Sequence, residues 1–423
     1  MKKLFITAFM LLFTITISAQ EKAAVEPQTK TEAASETQKK EESEKIADSY
    51  LTGDWGGSRQ SMVDNGVTFE VVYLSEILYN AAGGIEQDYA WLGNLDVTLD
   101  IDMGALAGIS GMQVFLYGLG GHGDAPTELL GDAQATSNIE TGMDYFKLYE
   151  AYIQQSLFDD KVAILAGMHD LNSEFYANDP AGVFTNSSMG IGTEIAQAGP
   201  SIFPAVSPAL RLLIKPTESY YFSAAGYNAI TTDPDDPEDA GKTYADFSFD
   251  SGFLTIAETG LYVEGDYKFA LGGWMFTDKV IVGFDEATTE PIEETGYGAY
   301  LLADKTFGDI SVFVRFGMTN ADIYPFAYNI MEGIVLSGAM WGRGDDSLGI
   351  GATTIITSAP FKKSIEDLGG EIDSHETSIE LTYILQLTPW MAIQPDVQYV
   401  LNPGADPSID DALAMSLRVE LVF

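Results

Sequence analysis

Apolar and polar residues alternate in many short segments between residue 67 and the C-terminus. In the segment from Leu95 to Ile101 every odd position is apolar and every even position is polar. Similar alternation runs through residues 377–387, 391–401 and 413–423. Because successive side chains of a strand point to opposite faces of its sheet, this period of two predicts strands with one apolar and one polar face.

The alternation recurs in about sixteen segments, each near the ~10 residues that a tilted strand needs to cross a membrane. The segments begin near residues 67, 92, 112, 145, 161, 208, 219, 254, 268, 297, 311, 328, 347, 377, 391 and 411. A soluble sandwich would bury the apolar faces in a core, whereas an outer-membrane barrel would expose them to lipid and turn the polar faces to a water-filled lumen. The alternation alone is compatible with both folds.

The lengths of the connections favour the barrel. Short connections fall at 159–160, 215–218, 307–309 and 388–390. Long polar connections are predicted at 80–91, 121–144, 170–207, 230–253, 279–296, 320–328, 359–376 and 402–411. A barrel inserted from the periplasm has short turns on the periplasmic side and long loops outside. We therefore expect an all-β fold, a transmembrane antiparallel β-barrel of about 16 strands over residues 67–423, with short periplasmic turns and long extracellular loops.

The chain also ends on one of these segments, at Phe423. A barrel leaves no strand edge open, so its first and last strands must pair and its chain should end on a strand. The terminal segment therefore supports closure of the sheet.

Two segments at the N-terminus are expected to lie outside the barrel. Residues 1–19, in which Lys2 and Lys3 precede a short apolar stretch, have the pattern of a secretory signal peptide. Residues 20–50 form a polar, low-complexity tract, for which we expect a periplasmic spacer. The alternative is a periplasmic helix that associates with another copy or with the cell wall.

Residues 51–66 are predicted to form a periplasmic segment that packs against the barrel. Ser58 is placed to cap a short helix running to Asn65, and Gly66 would follow as its left-handed end. Trp55 is expected at the membrane interface or against the barrel mouth. A packed strap that closes the periplasmic end is favoured here over a ligand site, because glycines of this kind commonly serve the backbone.

Composition excludes several classes of protein. The chain has no cysteine, 63 acidic and 21 basic side chains, and a formal net charge of −42. Clustered Lys and Arg are needed to bind phosphates, so no nucleic-acid partner is expected. A thiolate metal site and a cysteine nucleophile are excluded. No run of 18 apolar residues follows the signal, which excludes helical membrane spans.

The acidic charge is concentrated in the predicted outer connections. Together they carry a formal charge of −28. Such a field attracts cations and repels anions at low ionic strength. We therefore expect an acidic extracellular face and a preference for cations over chloride, with little effect on neutral solutes.

Three groups of short motifs stand out along the chain. They lie at 51–59 with 65–69, at 149–155 with 165–167 and 172–175, and at 376–383 with 387–390, 394–399 and 402–404. These motifs resemble the OprB-type carbohydrate-selective porin family, and the resemblance extends over residues 50–423. It implies an outer-membrane channel of a Gram-negative-type envelope, embedded in lipid, through which small sugars diffuse, and it implies a homotrimer. It does not identify the sugar.

The connection at 170–207 is the longest, and in porins generally the corresponding loop folds inward to narrow the pore. Its candidate sugar-contacting residues are Asp170, Asn172, Glu174, Phe175, Tyr176 and Asn178. Sugars place their C–H faces on aromatic rings and their hydroxyls against planar polar groups, which is the chemistry of these side chains. The alternative is an ordinary capping loop.

Arginine is scarce, and three of the five arginines, Arg211, Arg315 and Arg418, alternate with apolar residues and are predicted to face the lumen. The candidate pore-lining residues are Asp96, Asp100, Glu150, Arg211, Arg315, Glu380, Asp396 and Gln398. Arginines opposed by carboxylates would create a field that orients polar solutes. For Arg418 we expect an ion pair with Glu420 or another wall carboxylate; for Arg211 and Arg315 a structural and a ligand role both remain open.

The function expected from these patterns is an outer-membrane porin for passive diffusion of small polar solutes, above all carbohydrates. A barrel that only anchors a surface structural or adhesion protein is the alternative. An enzyme is not expected, because His122, His169 and His375 are isolated; a hydrolase with His169 or His375 beside a serine is a third hypothesis. No cofactor or metal site is expected, although acidic residues 233–239 could bind Ca²⁺ loosely.

Overall fold

The computed structural model describes residues 47–233, 235, 240–248, 250–284 and 291–423. The predicted signal peptide and all but the last four residues of the polar tract 20–50 lie outside the described residues. The same holds for most of the acidic tract 233–239. Their assignments remain predictions.

Sixteen antiparallel strands of the described chain close into one barrel, in which each strand pairs with its neighbours in sequence and β1 pairs with β16. The strands are β1 Val67–Gly84, β2 Tyr89–Asp102, β3 Met112–Gly123, β4 Tyr145–Leu157, β5 Val162–His169, β6 Ser207–Ile214, β7 Tyr220–Asn228, β8 Phe253–Val263, β9 Tyr267–Phe284, β10 Pro291–Phe307, β11 Ile310–Thr319, β12 Phe326–Ser337, β13 Ser347–Thr357, β14 His375–Thr388, β15 Met391–Leu401 and β16 Asp410–Val422. The predicted fold class is confirmed.

Alternation along β11 shows how the sequence produces this fold. Val314, Phe316 and Met318 expose 45%, 37% and 39% of their surface, whereas Arg315 between them exposes none. A soluble sandwich would reverse this arrangement, because its apolar side chains would fill the core. The apolar outer face and polar inner face are those of a membrane barrel.

The hairpins at two predicted loops are longer than the alternation indicated. β1 and β2 leave only residues 85–88 between them, and Pro291 of β10 still pairs with Phe284 of β9. The predicted loops 80–91 and 279–296 are therefore mostly strand, and β10 begins six residues before its predicted start near residue 297. Beyond the apolar belt both faces of a hairpin can meet water, so backbone pairing continues without an alternating pattern.

Short helices occupy the connections of the described chain. They are α1 Ser58–Asp64, α2 Met103–Ala107, α3 Thr127–Leu130, α4 Ser187–Gly190, α5 Thr193–Ala196 and α6 Ala359–Asp367. Turns of 3-10 helix occur at Trp55–Gly57, Leu171–Ser173, Asp179–Val183, Gly338–Trp341 and Pro403–Ala405. None of the described helices combines the length and the apolar character needed to cross a bilayer.

The start of α1 differs from the prediction by one residue. Gly57, not Ser58, is the N-cap, and the carboxylate of Asp54 accepts the backbone N–H of Gln60 at 2.8 Å. Gly66 follows the helix with a φ of +78°, as predicted. A Cβ at this position would lie 2.7 Å from the Cβ of Ala105, so glycine is required both by the backbone and by the close packing.

The segment before β1 secures the seam between the first and last strands. The guanidinium of Arg59 lies 3.6 Å from the centre of the Tyr50 ring and 4.2 Å from that of Trp55. Its Nη2 donates to the carbonyl oxygen of Phe423 at 2.7 Å, and Leu51 N–H donates to the carbonyl of Val422. A cation between two rings anchors this strap to the C-terminal residue.

Candidate functional site

Two connections of the described chain fold into the barrel. We call residues 124–144 the first inner loop and residues 170–206 the second inner loop. The second crosses the lumen: Tyr176 N–H donates to Glu258 on β8 at 2.9 Å, Thr185 N–H donates to Glu380 on β14 at 2.6 Å, and Gln197 donates to the carbonyl of Phe326 at 2.6 Å. These bonds to distant strands hold the loop inside the barrel.

Arg315 is the central attachment of the second inner loop. Its Nη1 donates to the carbonyl oxygens of Tyr176 at 3.0 Å and Gly190 at 2.8 Å, and its Nη2 donates to that of Ser188. The guanidinium also lies 4.5 Å from the centre of the Tyr176 ring. The planar fork of arginine suits this role, since it can serve several fixed acceptors at once.

Strands β14 and β15 hold another part of the same loop. Glu380 accepts the backbone N–H groups of Thr185 and Asn186, at 2.6 and 3.2 Å, and the Asn186 amide donates to Gln398 at 3.0 Å. Gln398 in turn donates to Asp396 at 3.2 Å. Glu380 and Gln398 are fully buried, so their polar atoms form hydrogen bonds within the protein and are not open to a solute.

The first inner loop is held by other wall residues. Glu376 on β14 accepts the backbone N–H groups of Ala133 at 2.7 Å and Gln134 at 3.1 Å. Ser137 accepts from Arg418 on β16 at 3.3 Å. Arg418 also pairs with Glu76 at 2.6 Å, as expected for an ion pair with a wall carboxylate. The sequence predicted a connection at 121–144 but not its inward course, because its composition is that of an ordinary surface connection.

A cavity of about 880 Å³ remains between the two inner loops and the wall. We call it the large cavity. It extends from Phe326, at the extracellular start of β12, to Gln386 and Glu420, near the periplasmic ends of β14 and β16. Seven side-chain amides line it, from Asn94, Gln134, Asn138, Asn172, Gln197, Gln386 and Gln394. It therefore follows the length of the barrel, and most of the polar side chains that line it are neutral.

A second cavity of about 260 Å³ lies at the periplasmic end of β6 to β9, beneath the second inner loop. We call it the small cavity. Its charged and aromatic lining consists of Glu174, Asp179, Arg211, Lys215, Tyr221, Tyr262 and Lys268. Asp170 and Asn172 border the large cavity and Glu174 borders the small one, so this part of the loop separates the two.

The family of the chain follows from comparison with known proteins. The model of the carbohydrate-selective porin family OprB matches residues 86–423. The chain belongs to the OprB family. Porin B of Pseudomonas aeruginosa is 22% identical over 88% of this chain and 91% of that protein, and the putative porin QuiX of Acinetobacter baylyi is 20% identical over 88% and 93%.

Solved structures agree on the fold. The high-pH structure of OprB from Pseudomonas putida has a TM-score of 0.79 with 20% identity, covering 89% of this chain and 99% of that one. The outer-membrane channel DcaP of Acinetobacter baumannii has a TM-score of 0.54 with 8% identity over 84% and 97%. Because it belongs to the OprB family, the chain is an outer-membrane porin of a Gram-negative envelope, and a barrel used only as a surface anchor is not favoured.

The predicted site residues of the porin divide into three groups. Asp96, Asp170 and Asn172 border the large cavity, and Arg211 and Glu174 border the small one. The residues that border neither are Asp100, Glu150, Phe175, Tyr176, Asn178, Arg315, Glu380, Asp396 and Gln398. Contact of these residues with a sugar stays a prediction, except for Phe175 and Tyr176, whose rings are buried.

Two of the predicted aromatic contacts need correction. Phe175 and Tyr176 are fully buried and pack with Leu254, Ile256 and Tyr300 in an apolar cluster beneath the loop. Their rings stabilise the folded loop and are not exposed to a solute. The composition of the loop identified aromatic residues but not their direction.

Other predicted residues serve as supports. Asn178 donates to Asp304 at 2.9 Å, and Glu150 accepts the N–H of Asp170 at 2.7 Å. Asp100 accepts from Gln113 at 2.6 Å. Each of these side chains forms a hydrogen bond with a neighbour on the wall or loop. Not every lumen-facing residue therefore borders a cavity.

Carboxyl groups of the inner loops have raised pKa values. Burial, with a further contribution from Asp132, raises the pKa of Glu140 to about 8. Burial likewise raises the pKa of Glu194 to about 7 and that of Asp170 to about 6. Desolvation disfavours the charged form of an acid, so these groups carry less than their formal charge near neutral pH.

The serine and histidine geometry gives little support to a hydrolase. Ser173 Oγ lies 3.2 Å from Nε2 of His169, but this hydroxyl donates to the carbonyl of Asp170 at 2.7 Å. Nδ1 of His169 meets the hydroxyl of Tyr227 at 2.8 Å, where a hydrolase has a carboxylate. The OprB family is a channel family, not an enzyme family.

Metal binding has no visible basis in the part of the chain that the structure describes. No group of three or more His, Asp or Glu side chains there is arranged to hold an ion. The acidic tract 233–239 lies largely outside the described residues, so loose Ca²⁺ binding by this tract stays a prediction.

Proposed function

We propose that the porin passes small, neutral carbohydrates by passive diffusion through the large cavity, which the two inner loops narrow. The observation that carries this proposal is the lining of that cavity: seven side-chain amides accompany three acids, Asp96, Asp170 and Glu420, and one base, Arg418. Amides offer both donors and acceptors to sugar hydroxyls without attracting a counter-ion.

Aromatic side chains belong to the apolar part of the same lining. Phe203 and Phe326 border the large cavity and are partly exposed. Their faces suit the C–H side of a pyranose ring, while the amides meet its hydroxyls. Contacts of this kind bind a solute weakly enough to release it, as conduction requires.

A bulky side chain placed at the large cavity tests whether solutes pass through that cavity. Gly182 borders the large cavity, and a Cβ built on it meets nothing within 4 Å. We expect Gly182→Trp to reduce the rate of liposome swelling in glucose severalfold, because the indole occupies the path. Gly344→Trp is the matched control, since Gly344 also has open space around its Cβ but does not border the cavity.

The swelling assay also decides the function itself. Unchanged glucose flux in Gly182→Trp would place the route elsewhere. Absence of glucose flux in the unmodified porin, with ion conductance intact, would contradict a carbohydrate channel.

Three further statements belong to the proposal. The porin contacts outer-membrane lipid through its apolar outer surface, it assembles as a homotrimer, and it requires no cofactor, with Ca²⁺ bound only loosely by acidic loops. The exposed apolar side chains of the wall, such as Phe316 and Leu417, support the first statement. Trimer assembly rests on the family resemblance.

A further inference from the structure

The small cavity differs in charge from the rest of the porin. It holds three cations, Arg211, Lys215 and Lys268, and two carboxylates, Glu174 and Asp179, in a chain with only 21 Lys and Arg against 63 Asp and Glu. The large cavity, in contrast, has three carboxylates and one cation in its lining. An anionic group would therefore meet less repulsion in the small cavity than in the large one.

Not all of these cations are neutralised by neighbours. Nε of Arg211 lies 2.7 Å from Glu174. Lys268 donates to the carbonyl of Ala177 at 2.8 Å and lies 3.6 Å from Glu258. Glu258 already accepts three other hydrogen bonds, from the Tyr176 N–H and from the hydroxyls of two tyrosines.

The Lys215 ammonium has no hydrogen bond or ion pair with any residue that the structure describes. It stands on the short periplasmic turn after β6 and is exposed. A ligand carboxylate would give the Lys215 ammonium a counter-charge. Lys268 lines the same cavity and can contact the same carboxylate.

The remaining lining groups restrict the ligand further. Carboxylates such as Asp179 and Glu174 would repel a multiply charged anion but accept hydrogen bonds from hydroxyl groups. The rings of Tyr221 and Tyr262 offer faces for the C–H side of a sugar. A volume of about 260 Å³ leaves space for one sugar ring. These features together describe a monosaccharide that carries a single carboxylate.

We propose that the small cavity is a binding site for sugar acids, of the class of uronates, at the periplasmic end of the porin. The carboxylate of the ligand lies against Lys215 and Lys268, its hydroxyls donate to Asp179 and Glu174, and its ring lies against Tyr262. The site rests on the proposed function, because the solute reaches it through the lumen. It extends that function to a charged class of sugar.

Equilibrium binding to the purified full chain in detergent tests this site. Isothermal titration calorimetry with glucuronate and with glucose is carried out on the unmodified porin, on Lys215→Gln and on Lys161→Gln. Lys161 is the matched control because it is an exposed lysine of the neighbouring periplasmic turn that borders neither cavity. We expect Lys215→Gln to weaken glucuronate binding about tenfold, as loss of a charged hydrogen bond does, and to leave glucose binding unchanged.

Three results would overturn the site: no measurable glucuronate binding by the unmodified porin, unchanged binding in Lys215→Gln, or equal weakening in Lys161→Gln, which would indicate only a general electrostatic effect. The swelling rate in glucose of liposomes made from the same preparations distinguishes failure of this site from failure of the proposed function. If glucose permeates and Lys215→Gln has no effect, only the sugar-acid site fails.

Discussion

Arg315 binds the second inner loop through backbone carbonyl oxygens and not through a carboxylate. Three loop residues, Tyr176, Ser188 and Gly190, accept its N–H groups, and the side chain is fully buried. Such a charge is stable only while the carbonyl oxygens surround it, so the loop and the arginine depend on each other.

Arg315→Met is therefore expected to release the second inner loop while the barrel remains closed. Each buried acceptor that loses its donor costs about 1–3 kcal/mol, which is enough to shift the loop to open arrangements. Single-channel recordings should show higher and noisier conductance, and limited proteolysis should cut within residues 170–206. Arg343→Met is the control, since Arg343 pairs with Asp346 on a periplasmic turn. Identical conductance in both variants would show that Arg315 does not hold the loop.

Carboxylates attach both inner loops to the wall through backbone N–H groups. Glu376 holds the first loop, and Glu258 and Glu380 hold the second. Each of these carboxyl groups accepts one or two backbone N–H groups of a loop, so a few wall residues suffice for each loop. Within the first inner loop itself, Glu140 accepts the N–H of Thr127 at 3.2 Å and the hydroxyl of Thr127 at 3.1 Å.

The first inner loop is expected to loosen as pH rises. Burial and the nearby Asp132 raise the pKa of Glu140 to about 8, so the folded loop holds a proton that the unfolded loop loses near its ordinary pKa of 4.5. The free energy that keeps the loop folded is therefore largest below pH 4.5 and falls as pH rises towards about 8. Hydrogen exchange of residues 124–144 should be faster at pH 9 than at pH 5 after correction for the intrinsic rate.

Glu140→Gln should flatten this profile, because the amide stays neutral and still offers an oxygen to Thr127. Glu128→Gln serves as the control, since Glu128 is an exposed acid of the same loop. If both variants keep the pH dependence of the unmodified porin, Glu140 is not the titrating group.

The acidic charge of the whole molecule is distributed differently from the sequence prediction. Two of the predicted outer connections, 121–144 and 170–207, fold into the lumen, so their carboxylates contribute to the field of the pore. Burial also raises the pKa of Glu140, Glu194 and Asp170, which reduces their charge near neutral pH. The field therefore acts along the path of the ions as well as at the extracellular face.

The porin should still prefer cations to chloride. The large cavity is lined by three carboxylates and one arginine, and the formal net charge of the chain is −42. The reversal potential in a KCl gradient should show this preference at low salt and lose much of it at 1 M, where the Debye length is about 3 Å. Asp96→Asn should reduce the preference more than Glu371→Gln, because Asp96 borders the cavity and Glu371 is exposed on a loop. Anion selectivity would contradict this account.

The sequence by itself determined the barrel and the sidedness of its wall. The period of two is a local property of each strand, so it located the strand starts, except at β10, to within three residues and assigned Arg211, Arg315 and Arg418 to the lumen. Loop lengths then separated the two ends of the barrel. Family motifs identified the class of porin.

Only the tertiary structure decided what each lumen-facing residue meets. Alternation assigns a side chain to a face but gives neither its height in the lumen nor the loop that covers it. Arg315 meets Tyr176, and Glu376 meets Gln134, across more than a hundred residues of sequence. Such contacts form when the barrel closes and its loops fold inward, so local patterns could not separate the residues that hold the loops from those that line the cavities.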